Sequence, residues 1–565
     1  MKFVRKMPTI ELSKKDLEEL IGKKFTIEQI KNLLEVVKGE IEGIDGDRLR
    51  VEIKDINRPD LWSTSGIAHE LRGELGKETG LVKFNIKRGT YEVYVSNEMK
   101  SIRPLTVCAV VKNLKLDSEG IKQIIQLQEK LSENFGRERE ELALGIYDAD
   151  KIEWPIHFKA FKPDELKFVP LEFNVELYLN EILQRHPTGR KYADLLKGLK
   201  KYPIFIDSAS QVLSMPPIIN SELTGRITEK TRNAFVEVSG HSFRFIMPAL
   251  LVFISELASR KCEIQSVTVN YGNRRIITPD FKEKKITLKL EYVNKILGTS
   301  LTAAAIKNLL GKRRMDAKTK SDMLEVTYGA YRQDIMHARD IAEDVSISYG
   351  YNKFFPRVPM IATIGKASEI EGFSERIATF LTGLDMQEIA TFTLTSKENL
   401  FKKMNLKEQR IIELENPISQ QFTCLRNWLT PSILEFLARN KKARYPHRIF
   451  EIGDCATIKD SKVNDVKRIA VAISHPKANF TEARQMFEYL LDNLGITYVI
   501  KETQHNSFID GRVARISVKA KGNVKQDVDV AYVGEISPLV LKNWNLTMPV
   551  SVFELNLNEL LNVLR

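Results

Sequence analysis

Along the chain the spacing of apolar residues changes period several times, and each change marks an element. "SKKDLEELIG" opens a helix, with Ser13 as its cap and Asp16 in its first turn. "TIEQIKNLLEVV" opens another, with Thr26 and Gln29 as a capping box and Ile30, Leu33, Leu34 and Val37 on one face. "RLRVEIKDI" alternates Leu49, Val51 and Ile53 with charged neighbours, the period of a half-buried strand. "NRPDLWSTSGIAHELRGELG" turns at Pro59 and enters a third helix near Ser65. These elements predict an N-terminal α+β domain over 1–95. From 96 to 275 short strands ("LTVCAVVKNL", "PIHFKAF", "AFVEVSG", "EIQSVTVNY") alternate with amphipathic helices such as "EGIKQIIQLQEKLSENF", a second α+β domain. Within it, "VLSMPPIINSELTGRITEKTRN" is the irregular, loop-rich kind of segment that builds pockets. The stretch 280–357 predicts a small helix-rich domain with a minor sheet: "KKITLKL", two short helices, then "MLEVTY". Over 358–565 long helices and alternating strands predict an antiparallel sheet flanked by helices. The fold class is multidomain α+β.

Composition adds bounds. At 565 residues the chain exceeds what one hydrophobic core holds, so several domains are required. Hydrophobic content of 43% and charged content of 28% are those of a soluble globular protein. The richest apolar window, "FIMPALLVFISELASRKC", is broken by Pro248, Ser255 and Glu256, a buried helix rather than a membrane span. The start, "MKFVRKMPTIEL", lacks the apolar core of a signal peptide, so a cytoplasmic location is expected. The four cysteines, Cys108, Cys262, Cys424 and Cys455, stand far apart without a CxxC, which excludes a zinc ribbon and a disulfide framework. A net charge of +12 favours a polyanionic partner, nucleic acid being the commonest. No phosphate-binding P-loop, Rossmann glycine fingerprint, zinc-protease helix or serine nucleophile elbow occurs.

One stretch concentrates charge: "YRQDIMHARDIAEDVSISYGY" gathers Asp334, Asp340, Glu343 and Asp344 in a basic chain. If 335–349 is helical, Ala338, Ile341, Ala342, Val345 and Tyr349 share one face and Gly350 stops the helix. Asp340, Glu343 and Asp344 then crowd the opposite face, at roughly 0.2–0.5 kcal/mol per like-charge pair. Asp334 falls at the expected N-cap. Spacing leaves three explanations open: a hard cation such as Mg2+, a basic partner surface, or a solvated acidic face.

A set of segments, in order along nearly the whole chain, resembles one family. They include "MPTIELSKKDLEELIG", "INRPDLWSTSGIAHELRG", "SIRPLTVCAVVKNLKLD", "SMPPIINSELTGRITEKTRNAFVEVSG", "HARDIAEDVSISYGYNKF", "NPISQQFTCLRNWLTPSILEFLARNKKARYPHRIFEIGD" and "YVGEISPLVLKNWNL". Together they are similar to the β chain of phenylalanyl-tRNA synthetase in its archaeal and eukaryotic form. The six residues before Met7 are extra relative to the family's usual start. The resemblance implies a non-membrane heterotetramer of two α and two β chains, acting on tRNA(Phe), with ATP and phenylalanine bound by the α chain. It implies a tRNA-editing domain at 96–275 and a DNA-binding-like helix-rich domain at 280–357. It implies, at 358–565, a class II synthetase-like antiparallel sheet without an active site. There Arg448 and Glu451 of "RYPHRIFEIGD" mimic ATP-gripping positions but are expected to be structural. For the acidic stretch, the resemblance implies Mg2+ at Asp334, Asp340, Glu343 and Asp344, beside the α chain.

It also implies hydrolysis of Tyr-tRNA(Phe). An apolar pocket cannot strongly reject an added hydroxyl, so tyrosine must be removed at a second site. Carried over by position, Glu237 would accept the phenolic hydroxyl, Ser239 and Ser214 would hydrogen-bond within the pocket, and Phe205 would form its apolar wall. Two departures stand out: "VEVSG" has Glu237 and Ser239 where the family strand has Asp and Thr, and Tyr147 stands where members often have His. The competing expectations are a non-enzymatic nucleic-acid-binding or scaffold protein, and a free-standing editing hydrolase.

Overall fold

The computed structural model describes residues 7–260, 262–356, 358–519 and 527–564. The six residues ahead of Met7 therefore lie outside the described residues. The described residues divide into two compact units, one over 7–356 and one over 358–564. It is a mixed α/β, multidomain architecture, and no helix among the described residues is long and apolar enough to cross a membrane.

The first unit opens with the predicted caps. Ser13 accepts the backbone N–H of Asp16 ahead of the helix Lys14–Ile21, and Thr26 with Gln29 forms a capping box ahead of Ile27–Leu34. Arg48–Ile53 is the middle strand of a three-stranded antiparallel sheet, and its Leu49, Val51 and Ile53 point inward. The third helix spans Thr64–Glu74 and is capped by Ser63.

A ten-stranded sheet follows. The strand Ile86–Val95, placed by the sequence pattern in the N-terminal domain, lies inside this sheet, parallel to Glu263–Asn270. Ala234–Gly240 runs antiparallel between Leu105–Lys112 and Leu142–Asp148, and every one of its residues is buried. Side chains alternate across a strand, so its two faces enter different cores. Ala234, Val236 and Val238 pack in the cluster that includes the helix Phe243–Ala258; Phe235 packs in another with Tyr147, Phe158 and Phe205. Glu237 and Ser239 share Phe235's face. The sheet curls far enough that Val212–Met215, near one end of the strand order, comes within hydrogen-bond reach of Leu142–Asp148 at the other.

Last in this unit come Lys284–Lys289, Asp316–Lys320 and Met323–Tyr328, a three-stranded sheet packed with the helices Leu290–Leu297, Ala303–Lys312 and Ala338–Tyr349. The acidic helix starts later than its pattern predicts. His337, not Asp334, is the N-cap: its ring nitrogen accepts from Arg339 N–H, while the Asp340 carboxylate reaches back to the His337 N–H.

The second unit is a seven-stranded sheet, antiparallel apart from the edge pairing of Gln387–Glu388 with His447–Lys459. Glu369–Gly383, Phe480–Asn493 and Leu557–Leu564 contribute to one core cluster; Thr430–Arg439 and Pro538–Asn543 contribute to another.

Candidate functional site

Two groups of buried acids carry the candidate chemistry. The first holds the acidic stretch. Arg332 lies two residues before Asp334 and donates to it through Nε at 2.8 Å and Nη2 at 2.5 Å. The same Nη2 reaches Asp344 at 2.6 Å, and Arg313 Nε reaches the other Asp344 oxygen at 2.9 Å. Glu70, on the helix Thr64–Glu74, pairs with Arg313 at 3.1 Å and with Arg58 at 2.9 Å. Arg58, Glu70, Arg313, Arg332 and Asp344 are all buried. Burial pushes the Glu70 carboxyl up, but Arg313 and Arg58 outweigh it and hold the group down at about 2. For Asp334 too, burial is outweighed by Arg332 and Arg58, and its carboxyl lies well below the usual range.

The four predicted metal ligands are thus not brought together around a point. Asp334 and Asp344 are committed to arginines, and one Asp340 oxygen accepts the N–H groups of Met336 and His337. Glu343 is half-exposed and pairs with Lys38 at 2.5 Å. Among the described residues no group of three or more His, Cys, Asp or Glu is arranged to hold a metal ion. Mg2+ needs oxygens it can claim for itself, so the four-carboxylate set does not fit it in this arrangement. The solvated acidic face fails as well, because Asp344 is buried. The missed residues are the arginines. Arg332 was visible inside the quoted stretch, whereas Arg313 and Arg58 arrive from elsewhere in the chain.

The second group holds the predicted hydrolytic pocket. Glu237 stands opposite Gly145 in the sheet, and Tyr147 stands opposite Phe235. With no side chain at 145, the Tyr147 ring folds back over its own strand: a Cβ on Gly145 would lie 2.1 Å from the phenol oxygen and 2.8 Å from Glu237 Oε1. The phenol oxygen lies 2.8 Å from Ser214 Oγ and 3.1 Å from Glu237 Oε1, with Asn220 Oδ1 at 3.4 Å. Ser239 does not face the phenol's hydroxyl. Its Oγ accepts from the buried Arg103 Nε at 3.1 Å, and its carbonyl accepts from Arg103 Nη2 at 2.7 Å. Phe205 stacks on Phe158, ring centres 4.1 Å apart. Burial pushes the Glu237 carboxyl up to about 8, against the lowering effect of its Tyr147 hydrogen bond and the Arg103 charge. At neutral pH it is largely the neutral acid.

Tyr147, Phe205 and Ser239 are 0% exposed and Ser214 and Glu237 are 1% exposed. The resemblance implied an acceptor waiting in a pocket. Here two of the four, Ser214 and Glu237, do converge, yet around a side chain of the protein itself.

Comparison with known proteins places the chain. The family model for the phenylalanyl tRNA synthetase beta chain CLM domain matches residues 355–557, and that for the tRNA synthetase B5 domain matches 286–351. The phenylalanine–tRNA ligase beta subunit of Pyrococcus horikoshii is 43% identical over 561 residues, covering 98% of this chain and 100% of that one. The chain belongs to the phenylalanyl-tRNA synthetase β-subunit family. The family's beta subunit from Methanocaldococcus jannaschii is 39% identical over 558 residues, again 98% of this chain and 100% of the other. Among solved structures, an N-terminal fragment of the Pyrococcus horikoshii beta subunit is 44% identical with a TM-score of 0.60, covering 61% of this chain and 100% of the fragment.

Proposed function

We propose that the chain is the β subunit of a phenylalanine–tRNA ligase. With an α subunit it joins L-phenylalanine to tRNA(Phe) at the expense of ATP, in an assembly of two α and two β chains. The observation that carries this is the end-to-end likeness to beta subunits, with 98% of this chain and 100% of the relative aligned. In this proposal the Val358–Arg565 unit is a class II synthetase-like buttress, and ATP, with the Mg2+ that accompanies it, is held by the α chain. The state of its would-be ligands supports that division. Glu451 is buried and pairs with Arg426 at 2.7 Å and with the Thr391 hydroxyl at 2.7 Å, while Arg448 pairs with Glu482 at 3.3 Å. Glu451 is thus committed to its own neighbours, and the Arg448 guanidinium is shared with Glu482. A net charge of +12 suits a chain that carries tRNA. The arginine-bound acids at Asp334 and Asp344 join the 280–357 domain to the helix Thr64–Glu74, making this corner a scaffold rather than an ion site.

The test is co-expression with the α chain of the same organism. Phe-tRNA(Phe) formation should need both chains, which should elute together at the size of a heterotetramer. Full activity of the α chain alone, or failure of the two to associate, would overturn the proposal.

A further inference from the structure

Glu237 is an expensive residue for its position. A carboxyl at 1% exposure loses its hydration, and only one of its oxygens, Oε1, gains a partner. The other, Oε2, has no hydrogen-bond partner among the described residues. The arginines that pair with Glu70 and Asp344 have no counterpart here: among the described residues Glu237 forms no ion pair, and Arg103, whose charge it feels, donates to Ser239 instead. An acid placed this way suits a site that recognises a hydroxyl better than it suits a core. The remaining features have the shape of a phenol. Ser214 and Glu237 meet one phenol oxygen, Phe235 lies along the ring with centres 5.7 Å apart and 27° between planes, and Gly145 leaves the space beside it.

We propose that Tyr147 is a built-in occupant of a phenol-recognition site, and that it closes this site to the tyrosyl group of any ligand. The chemical class excluded is a para-substituted phenol. That the natural member is the tyrosyl end of a mischarged tRNA rests on the proposed function above; the self-occupation does not. Shortening Tyr147 leaves a ring-sized cavity bounded by the same acceptors, and a buried cavity of that kind takes up a matching aromatic ligand. Because the acceptors are left unpaired without a hydroxyl, the opened site prefers p-cresol over toluene by roughly tenfold or more.

The experiment titrates p-cresol and toluene into the full-length chain, read by calorimetry and by the melting temperature. Wild type should bind neither. Tyr147→Ala should bind p-cresol saturably, with its melting temperature rising, and the double variant Tyr147→Ala with Glu237→Leu should lose most of that binding. Tyr147→Val, a better strand former, replaces the alanine variant if that one does not fold. A folded Tyr147→Ala or Tyr147→Val chain that takes up no p-cresol would overturn the proposal. So would saturable p-cresol binding by wild type that Glu237→Leu abolishes. On the assembled enzyme, wild type should not hydrolyse Tyr-tRNA(Phe) above the uncatalysed rate; rapid hydrolysis lost in Glu237→Leu would overturn the proposal independently of the variants at 147. Phenylalanylation by the same preparation tests the subunit assignment separately, so failure of either conclusion is distinguishable from failure of the other.

Discussion

Glu70 and Glu237 are both glutamates at 1% exposure in the same compact unit, yet one is held at about 2 and the other at about 8. Burial acts on both in the same direction. What differs is the company. Glu70 lies within 3.1 Å of two guanidinium groups, so the charged form is the favoured one. Glu237 meets a phenol and a fixed positive charge only at longer range, so the neutral form wins. A buried carboxylate is therefore a structural ion in one place and a neutral hydrogen-bonding group in the other, and residue type and burial alone do not separate the two.

The strongest way to break this comparison is to remove an acid from the arginine network. Asp344→Ala would leave Arg313 and Arg332 buried with too little negative charge, a loss of about 3–5 kcal/mol. Chemical denaturation of the full chain would measure it, and a loss below about 1 kcal/mol would show that the network carries no such weight. The second test uses pH, where the two glutamates have opposite signs. The folded state keeps a proton on Glu237 that the unfolded chain releases near 4.5. That stabilisation is complete below about pH 4.5 and is lost as pH rises through 8, so wild type should lose a few kcal/mol against Glu237→Gln across this window. For Glu70 the depressed carboxyl stabilises above about pH 4.5 and the benefit disappears as pH falls towards 2; the wild-type advantage over Glu70→Gln should follow that course. Parallel curves for either pair of proteins would contradict the assignment.

A smaller effect is expected from Gly145→Ala, whose added methyl meets the Tyr147 hydroxyl at 2.1 Å. Forcing the ring aside should cost about 1–3 kcal/mol, and absorption at the tyrosine band should report a ring in altered surroundings. The smallest change belongs to Glu343→Ala. Its side chain is 48% exposed and its partner is Lys38, so the loss should stay under about 1 kcal/mol and shrink further with salt. In the same assay, millimolar Mg2+ should leave the melting temperature of the chain unchanged. A saturable rise that Asp340→Ala abolishes would restore the metal assignment for the acidic stretch.

Much of the local structure was legible in the sequence. The caps at Ser13 and Thr26 stand where the pattern placed them, because a cap is settled by residues within one turn of each other. The strand Ala234–Gly240 was legible for a similar reason, and its alternation put Glu237 and Ser239 on one face. The start of the acidic helix was misplaced because both Asp334 and His337 can cap, and Arg332 and Arg58 claim the aspartate for another purpose. The four carboxylates were grouped as one metal site on the same ground. Counting carboxylates shows where negative charge gathers but not which cations reach it, and Arg313 lies 31 positions before Asp344.

What the sequence by itself determined is the order of elements, the absence of several chemistries and the family, since each depends on runs of neighbouring residues. Only the tertiary structure decided which side chain each buried acid meets. Tyr147 and Glu237 are 90 positions apart and Tyr147 and Ser214 are 67 apart; a curled sheet brings them to one phenol oxygen. The energy of a buried carboxyl is set by partners within a few ångströms, and that distance is created by folding rather than by spacing along the chain.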